Sequence, residues 1–484
     1  MACGVNERQN CRLLTADCPL FPIESAAMGD LTVDVGAVLD EGRWSAYQKL
    51  LVAAAALTII FDGLDNQLLG AAVPALMREW ALPRAAFALV LSAALFGMVF
   101  GGFIGGYLGD RVGRRTALLS SVASFGALTL LASFATDVRT LTVLRFLAGL
   151  GLGGAMPNAA ALASEYVPLR RRPFAVTMTI VCIPVGGTLA GLTSALVLPA
   201  YGWRTLFLIG GSLPLILVAL LWKVVPESPR YLARQRTRWP ELTALLRRLG
   251  HHIPDGVAFV DSHERAIARA SVRSLFVPEF RRDTLALCAA FFFCLLSVYT
   301  GTNWVPTLMT TAGFSVATAN YGLTVFNLGG VVGAILGAIV FSRAGSRGTM
   351  LAMTAGAIAG CVALGTTAVG DRSAATLLAL LAWTGGLINA VQTTMYALAA
   401  HVYPAGIRAT GVGTAVAVGR IGGASSPYAG SWALESGPSA MFMLIAGTLS
   451  VVFVALAAVR QHIPRQPSTV RPTTRSTRAR AAAT

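Results

Sequence analysis

The sequence predicts an all-α integral membrane protein of twelve transmembrane helices, arranged as two six-helix pseudo-symmetric halves. Three observations lead there. The 484 residues are 55% hydrophobic and only 12% charged, with a mean hydropathy of +0.66, far from the balance of a soluble protein. The apolar residues gather into twelve long runs, each close to the ~20 residues a helix needs to cross hydrocarbon. The runs form two sets, 50–225 and 284–459, each 176 residues long, with a polar connector between them. Such a chain is neither a soluble enzyme, nor a secreted disulfide module, nor a disordered protein. Continuous runs also exclude a transmembrane barrel, whose strands alternate in polarity over about ten residues.

In the first half, span 1 (50–75) contains Phe61-Asp62-Gly63-Leu64-Asp65-Asn66-Gln67. Two carboxylates three residues apart share one helix face. Low dielectric and mutual repulsion favour proton uptake by at least one of them, as a proton-coupled carrier requires; the alternative is a pair held structurally by arginines of other helices. Span 2 (85–108) carries Gly101, Gly102, Gly105 and Gly106, which permit close helix approach. Span 3 (116–136) is plainly apolar. Span 4 (139–163) carries Arg145, a candidate substrate-binding guanidinium that lies one to two turns from the outer end and could instead snorkel to the interface, and Gly149, Gly151, Gly153 and Gly154. With no strand before them these glycines are not a dinucleotide fingerprint. Span 5 (174–198) and span 6 (204–225) complete the set.

In the second half, span 7 (284–306) presents Tyr299, Asn303 and Trp304, span 8 (319–341) Asn327, and span 10 (374–399) Asn389, Gln392 and Tyr396. Amides and aromatics in apolar surroundings either line a cavity or bond helix to helix. Span 9 (349–369) and span 12 (438–459) carry no charged residue. Span 11 (409–432) places Arg420 near mid-membrane, where a permanently charged guanidinium can grip a carboxylate bidentately. Its two roles would be to bind an anionic substrate and, between substrates, to neutralise Asp62 or Asp65. Glu165 and His401 occupy matching places near the ends of spans 4 and 10, where either could relay a proton.

The formal charge of +16 marks sidedness rather than a nucleic-acid partner. Loops after even-numbered spans and the C-terminal tail hold 26 basic residues, against five in the loops after odd-numbered spans. By the positive-inside rule both termini and the connector are expected in the cytoplasm, with the chain in the inner membrane. The domain plan is a cytoplasmic tail (1–49), the first bundle (50–225), the connector (226–283), the second bundle (284–459) and a basic tail (460–484) expected near anionic headgroups. Segment 1–48 has no signal-peptide pattern, and Met28 offers an alternative start. Cys3, Cys11 and Cys18 lie in the tail, and Cys182, Cys288, Cys294 and Cys361 in apolar runs as packing residues. With no zinc spacing, phosphate loop or catalytic triad, neither a metal, a cofactor nor an enzymatic activity is expected.

The halves also echo each other. Gly109-Asp110-Arg111-Val112-Gly113-Arg114-Arg115 recurs as Phe341-Ser342-Arg343-Ala344-Gly345-Ser346-Arg347 at an offset of 232, and Ser164 to Pro168 with Arg172 lines up with Ala400 to Pro404 with Arg408 at 236. Parallel repeats with substrate held between them near the midplane are a common carrier plan.

The loop at 109–115 resembles the signature of the major facilitator superfamily, as does Pro226-Glu227-Ser228-Pro229-Arg230-Tyr231-Leu232 after span 6. Asp62 to Asp65, the stretch from Arg145 to Glu165, Asn303 to Leu308, and Tyr403-Pro404 followed by Arg408 to Gly411 and Arg420 together resemble the aromatic acid:proton symporters, over residues 35 to 460. The resemblance implies proton coupling at Asp62 and Asp65, transport roles for Arg408 and Arg420, and gating by the loop acid Asp110 with Arg111, Gly113, Arg114 and Arg115. It implies a monomer that takes an aromatic carboxylate and protons. Leu64 stands where family members more often have a bulky aromatic, and Ser342 replaces the loop acid in the second half, so any latch is asymmetric. The expected cycle is that protonation of Asp62 or Asp65 releases Arg420 to take the substrate carboxylate.

Overall fold

The computed structural model describes residues 32–41, 44–251, 253–254, 256–261, 272–366 and 373–465. Met28, the three N-terminal cysteines, Arg372 and most of the basic tail, each part of the expectations above, lie outside these residues. The transmembrane helices are α1 (Ala46–Trp80), α2 (Arg84–Val112), α3 (Arg114–Ala132) and α4 (Val138–Tyr166), then α5 (172–201) and α6 (203–224). The second set is α7 (Arg281–Thr311), α8 (Val316–Ala344), α9 (Ser346–Gly365), α10 (Ala374–Val402), α11 (Ala405–Glu435) and α12 (Pro438–Ala458). Between α5 and α6 the helix breaks at Gly202, whose φ of 74° is open to glycine at little cost. Among the described residues, ten helical stretches are long and apolar enough to span a bilayer. The one broken at Gly202 crosses twice, and α11, at 31 residues, supplies the twelfth crossing despite the glycines, serines and Arg420 that lower its hydropathy.

Several helices outrun their apolar runs because polar residues extend them into the interface. At the start of α1, Ser45 and Gln48 form a reciprocal capping box, with Gln48 N donating to Ser45 Oγ at 3.2 Å and Ser45 N to Gln48 Oε1 at 2.7 Å. Asp137 accepts from the Arg139 and Thr140 amides to start α4, and its exposed carboxyl is held below its ordinary pKa chiefly by the Thr140 amide. Ser315 and Ser373 cap α8 and α10 in the same way.

Glycine sets the closest crossings. Gly97, Gly101 and Gly105 of α2 face Gly149, Gly153 and Gly154 of α4, and Gly329 and Gly333 of α8 face Ala382 and Gly386 of α10. Both halves thus use one packing device. The loop echo is conformational too: Gly113 (φ 104°) and Gly345 (φ 85°) both lie in the left-handed region.

Outside the membrane, β1 (Thr32–Asp34) pairs in parallel with β2 (Ala258–Val260) of the connector. This ribbon, absent from the sequence expectation, is too short for alternation to reveal it. It places the two segments on the same side of the membrane, as an even number of intervening crossings demands. The short helix Trp239–Arg248 packs beside it, with Trp239 edge-on to Phe259, and a shorter helix at Pro229–Ala233 packs on Trp239–Arg248 in turn.

A Cβ added to Gly101 would collide with the Leu150 backbone, whereas one on Gly106 meets nothing within 4 Å. Gly101→Ala should therefore cost about 1–3 kcal/mol, as overpacking does, and lower the unfolding temperature in detergent. Gly106→Ala should leave that temperature unchanged or slightly raised.

Candidate functional site

The membrane end bearing Gly113, Gly345 and the connector is the arginine-rich end; the end bearing Arg84, Asp137 and Gly202 is arginine-poor. Polar side chains join the halves from mid-membrane to the arginine-poor end. Gln67 of α1 and Asn327 of α8 exchange two hydrogen bonds, at 3.1 and 2.8 Å. Asn66 donates to the Tyr299 hydroxyl of α7 at 3.4 Å, Ser92 of α2 to the Ala424 carbonyl of α11 at 2.9 Å, and Arg84 to the Leu434 carbonyl at 2.8 Å. Gly70 lies against Asn303, and Gly191 against Thr324. Closure at this end is thus built from amides, hydroxyls, the Arg84 guanidinium and main-chain carbonyls, with glycines where backbones meet.

Asp62 and Asp65, three residues apart on α1, have different surroundings. Asp65 is wholly buried inside the first half, where it accepts from Thr129 of α3 at 2.5 Å and pairs with Arg145 of α4 at 3.4 Å. Arg145 also donates to Thr129 at 2.8 Å and lies over the Phe207 ring of α6 at 4.9 Å. It is 2% exposed, so it turns inward to the carboxylate instead of snorkelling to the interface. A buried counter-ion outweighs the pull of water, and one helix end gave no sign of it. Asp62 is 4% exposed and its Oδ1 has no hydrogen-bond partner.

Arg420 approaches from α11 and donates to the Met98 carbonyl of α2 at 3.2 Å. Gly102 gives it room, because a Cβ there would sit 2.5 Å from Nη1. Among the described residues no carboxylate lies within ion-pair distance of Arg420, but its charge acts on Asp62, Tyr299 and Tyr396. Tyr396 stands edge-on to Phe291 at 5.3 Å. The structure thus gathers Asp62, Arg420, Tyr299 and Tyr396 where the halves meet. Asn303 Nδ2 and Trp304 Nε1 are buried without partners. Asn389 donates to the Gly385 carbonyl of its own helix at 2.9 Å, and Gln392, half-buried, lies on the same helix.

Glu165 belongs to a different cluster at the arginine-rich end. It accepts from Ser228 Oγ and lies 3.9 Å from Arg114, which pairs with Asp110 at 2.5 Å. Glu227 accepts from the Arg115 and Ser228 amides, each at 2.9 Å, and its carbonyl accepts from Tyr166 at 2.7 Å. The Tyr231 hydroxyl donates to the Arg111 carbonyl at 3.1 Å. A Cβ at Gly113 would strike the Glu227 carboxylate. The two loop motifs are therefore one structure, with the segment after α6 clamped onto the turn between α2 and α3. Arg408 donates to the Tyr403 carbonyl at 3.3 Å, and His401 is exposed nearby on α10.

Thr129, Gln67 and Asn66 were not candidates. Gln67 and Asn66 had a signal, as amides directly after Asp65 in an apolar span; Thr129 had none, since a lone threonine in a helix normally bonds its own backbone.

Twelve helices in two like halves, closed at one end over a polar core, define a secondary carrier. The sequence profile of the Major Facilitator Superfamily matches residues 55–427. The chain is 34% identical over 409 residues to a gallate transporter of Pseudomonas putida, covering 84% of this chain and 90% of that protein. It is 36% identical over 418 residues to the 4-hydroxybenzoate transporter PcaK of Pseudomonas aeruginosa, covering 84% and 90%. The fold matches the xylose transporter XylE of E. coli in a partially occluded inward open conformation, with a TM-score of 0.71, 16% identity, and 86% and 99% of the two chains covered. The chain belongs to the major facilitator superfamily and, within it, to the aromatic acid transporter family.

Removing one partner of a buried ion pair strands the other charge and costs about 3–5 kcal/mol. Arg145→Gln is expected to destabilise the detergent-solubilised protein by this order, and Arg145→Gln combined with Asp65→Asn to recover most of the loss. Thermal unfolding of the two single variants and the double variant measures the coupling.

Proposed function

We propose that this protein imports an aromatic carboxylate, of the benzoate or hydroxybenzoate kind, together with protons across the cytoplasmic membrane by alternating access, acting as a monomer. The observation that carries the reading is Arg420, a guanidinium where the halves meet with no carboxylate on it, beside Asp62 with an unpartnered carboxylate oxygen. Gallate and 4-hydroxybenzoate carriers among the relatives support the substrate class. The basic loops favour the arginine-rich end as cytoplasmic, and closure of the opposite end then corresponds to an inward-facing state.

Asp65 already has a counter-ion in Arg145 and serves to hold α1, α3 and α4 together. Asp62 is the proton carrier: without substrate its carboxylate attracts Arg420, and on taking a proton it leaves the guanidinium to the substrate carboxylate. Tyr299, Tyr396, Asn303, Trp304, Asn389 and Gln392 line the ring's path, where aromatic faces and spare amide donors suit a hydroxylated ring. Arg111, Gly113, Arg115 and the cluster of Asp110, Arg114 and Glu165 with Glu227 and Ser228 set the rigidity of the arginine-rich end, and Arg408 does so in the second half. One proton per monoanion would make the cycle electroneutral; each further charge would draw about 2.3 kcal/mol per 100 mV.

Proteoliposomes with an alkaline interior should accumulate labelled gallate or 4-hydroxybenzoate, and a protonophore should collapse the accumulation. Asp62→Asn should abolish accumulation while retaining substrate exchange; accumulation by this variant at the wild-type level refutes the mechanism. Arg420→Lys keeps the charge but loses the bidentate grip, and should weaken substrate binding about tenfold or more, the scale of a charge-assisted hydrogen bond.

A further inference from the structure

A cavity lies away from this site, on the bilayer face of the second half. It is an apolar groove of about 570 Å³ between α8, α9 and α10, with Leu328, Val332, Leu336 and Val340 along one wall, Met353 at its base and Trp383 opposite. Five of these are about half exposed or more: Leu328 at 49%, Val332 at 50%, Leu336 at 57%, Val340 at 49% and Trp383 at 58%. Within the span, this side of the helices faces hydrocarbon rather than water.

At its arginine-rich end the groove changes character. Thr349 of α9 lines it, is 8% exposed, and its Oγ1 has no hydrogen-bond partner. The α8 wall follows the stripe 325, 328, 329, 332, 333, 336, 337, 340, and the next residue of that stripe is Arg343. Arg343 is exposed, and among the described residues no carboxylate pairs with it. His401 continues the α10 wall eleven residues beyond Ala390 and is also exposed. One leaflet's hydrocarbon is about 15 Å deep, the rise of roughly ten helical residues, so an acyl chain anchored at Arg343 would run down the groove to about Val332.

The matching face of the first half keeps the arginine, as Arg111, but differs around it. At the offset of 232, Leu328 and Val332 become Phe96 and Phe100, Thr349 becomes Ala117, and Ser342 becomes Asp110. The bulk that would fill such a groove and the acid that would repel an anion are both present there and both absent here.

We infer that the α8–α9–α10 groove is a binding site for an anionic phospholipid, with one acyl chain along the apolar wall, the phosphate on Arg343 and the Thr349 hydroxyl donating to an ester or phosphate oxygen. Charge complementarity selects the headgroup: a cation without a counter-ion and a spare hydroxyl donor favour a net negative lipid over a zwitterionic one.

The test is native mass spectrometry of the full chain in detergent with equimolar phosphatidylglycerol and phosphatidylethanolamine of matched chains. The wild type should retain phosphatidylglycerol preferentially. Arg343→Gln should lower that retention about fivefold, the factor one basic residue carries at an anionic surface, and leave phosphatidylethanolamine unchanged. Val332→Phe, copying the first half, should lower retention of both lipids. Equal retention of the two lipids by the wild type, or wild-type retention of phosphatidylglycerol by both variants, overturns the assignment. Should a variant fail to fold, phosphatidylglycerol with brominated chains should quench a component of wild-type fluorescence that Trp383→Phe removes; absence of that component overturns the groove as the site.

Discussion

Charge inside hydrocarbon must be compensated, and the organisation of this protein follows from how two arginines and two aspartates meet that demand. Within the first half the opposite charges are paired: Asp65 holds Arg145 and Thr129, Arg145 also bonds Thr129, and the Phe207 ring lies beneath the guanidinium. Where the halves meet the demand is met only in part, since Arg420 has a main-chain carbonyl and Asp62 an idle oxygen. The first arrangement fixes a bundle. The second leaves the guanidinium and the carboxyl unjoined, and it is on this arrangement that the proposed exchange of proton and substrate carboxylate rests.

The same division runs through the neutral contacts. Inside each half, runs of glycines bring pairs of helices to backbone distance along several turns, whereas between halves such contacts are single, as at Gly70 and Gly191. Between halves, the bonds are side-chain amides and hydroxyls, such as Gln67 with Asn327, which can exchange partners with water. Rigid halves joined by replaceable polar contacts are what rocking motion requires.

The crossings were legible in the sequence because hydrocarbon imposes one long apolar run per helix, and the repeat was legible because Gly113 and Gly345 are both forced by a left-handed turn. The site was legible by residue type but not by pairing. Cost alone singles out Asp62, Asp65, Arg145 and Arg420, yet which arginine faces which aspartate depends on helix rotation, and periodicity in a span apolar on nearly every face does not report rotation. The β1–β2 ribbon escaped notice because three-residue strands carry too little pattern, and the clamp of Glu227 on the Gly113 turn because it joins two motifs more than a hundred residues apart.

That ribbon also bears on how the chain is made. Thr32 pairs with Ala258, and so β1 has no partner until more than two hundred further residues have left the ribosome. By then the six helices of the first half have been synthesised and their order of insertion decided. A parallel pair so far apart in sequence cannot help to start folding, because the loop it closes is far too long. It can only form once the first half has inserted with both its ends on one face, and it then acts as a fastener on a correctly oriented product.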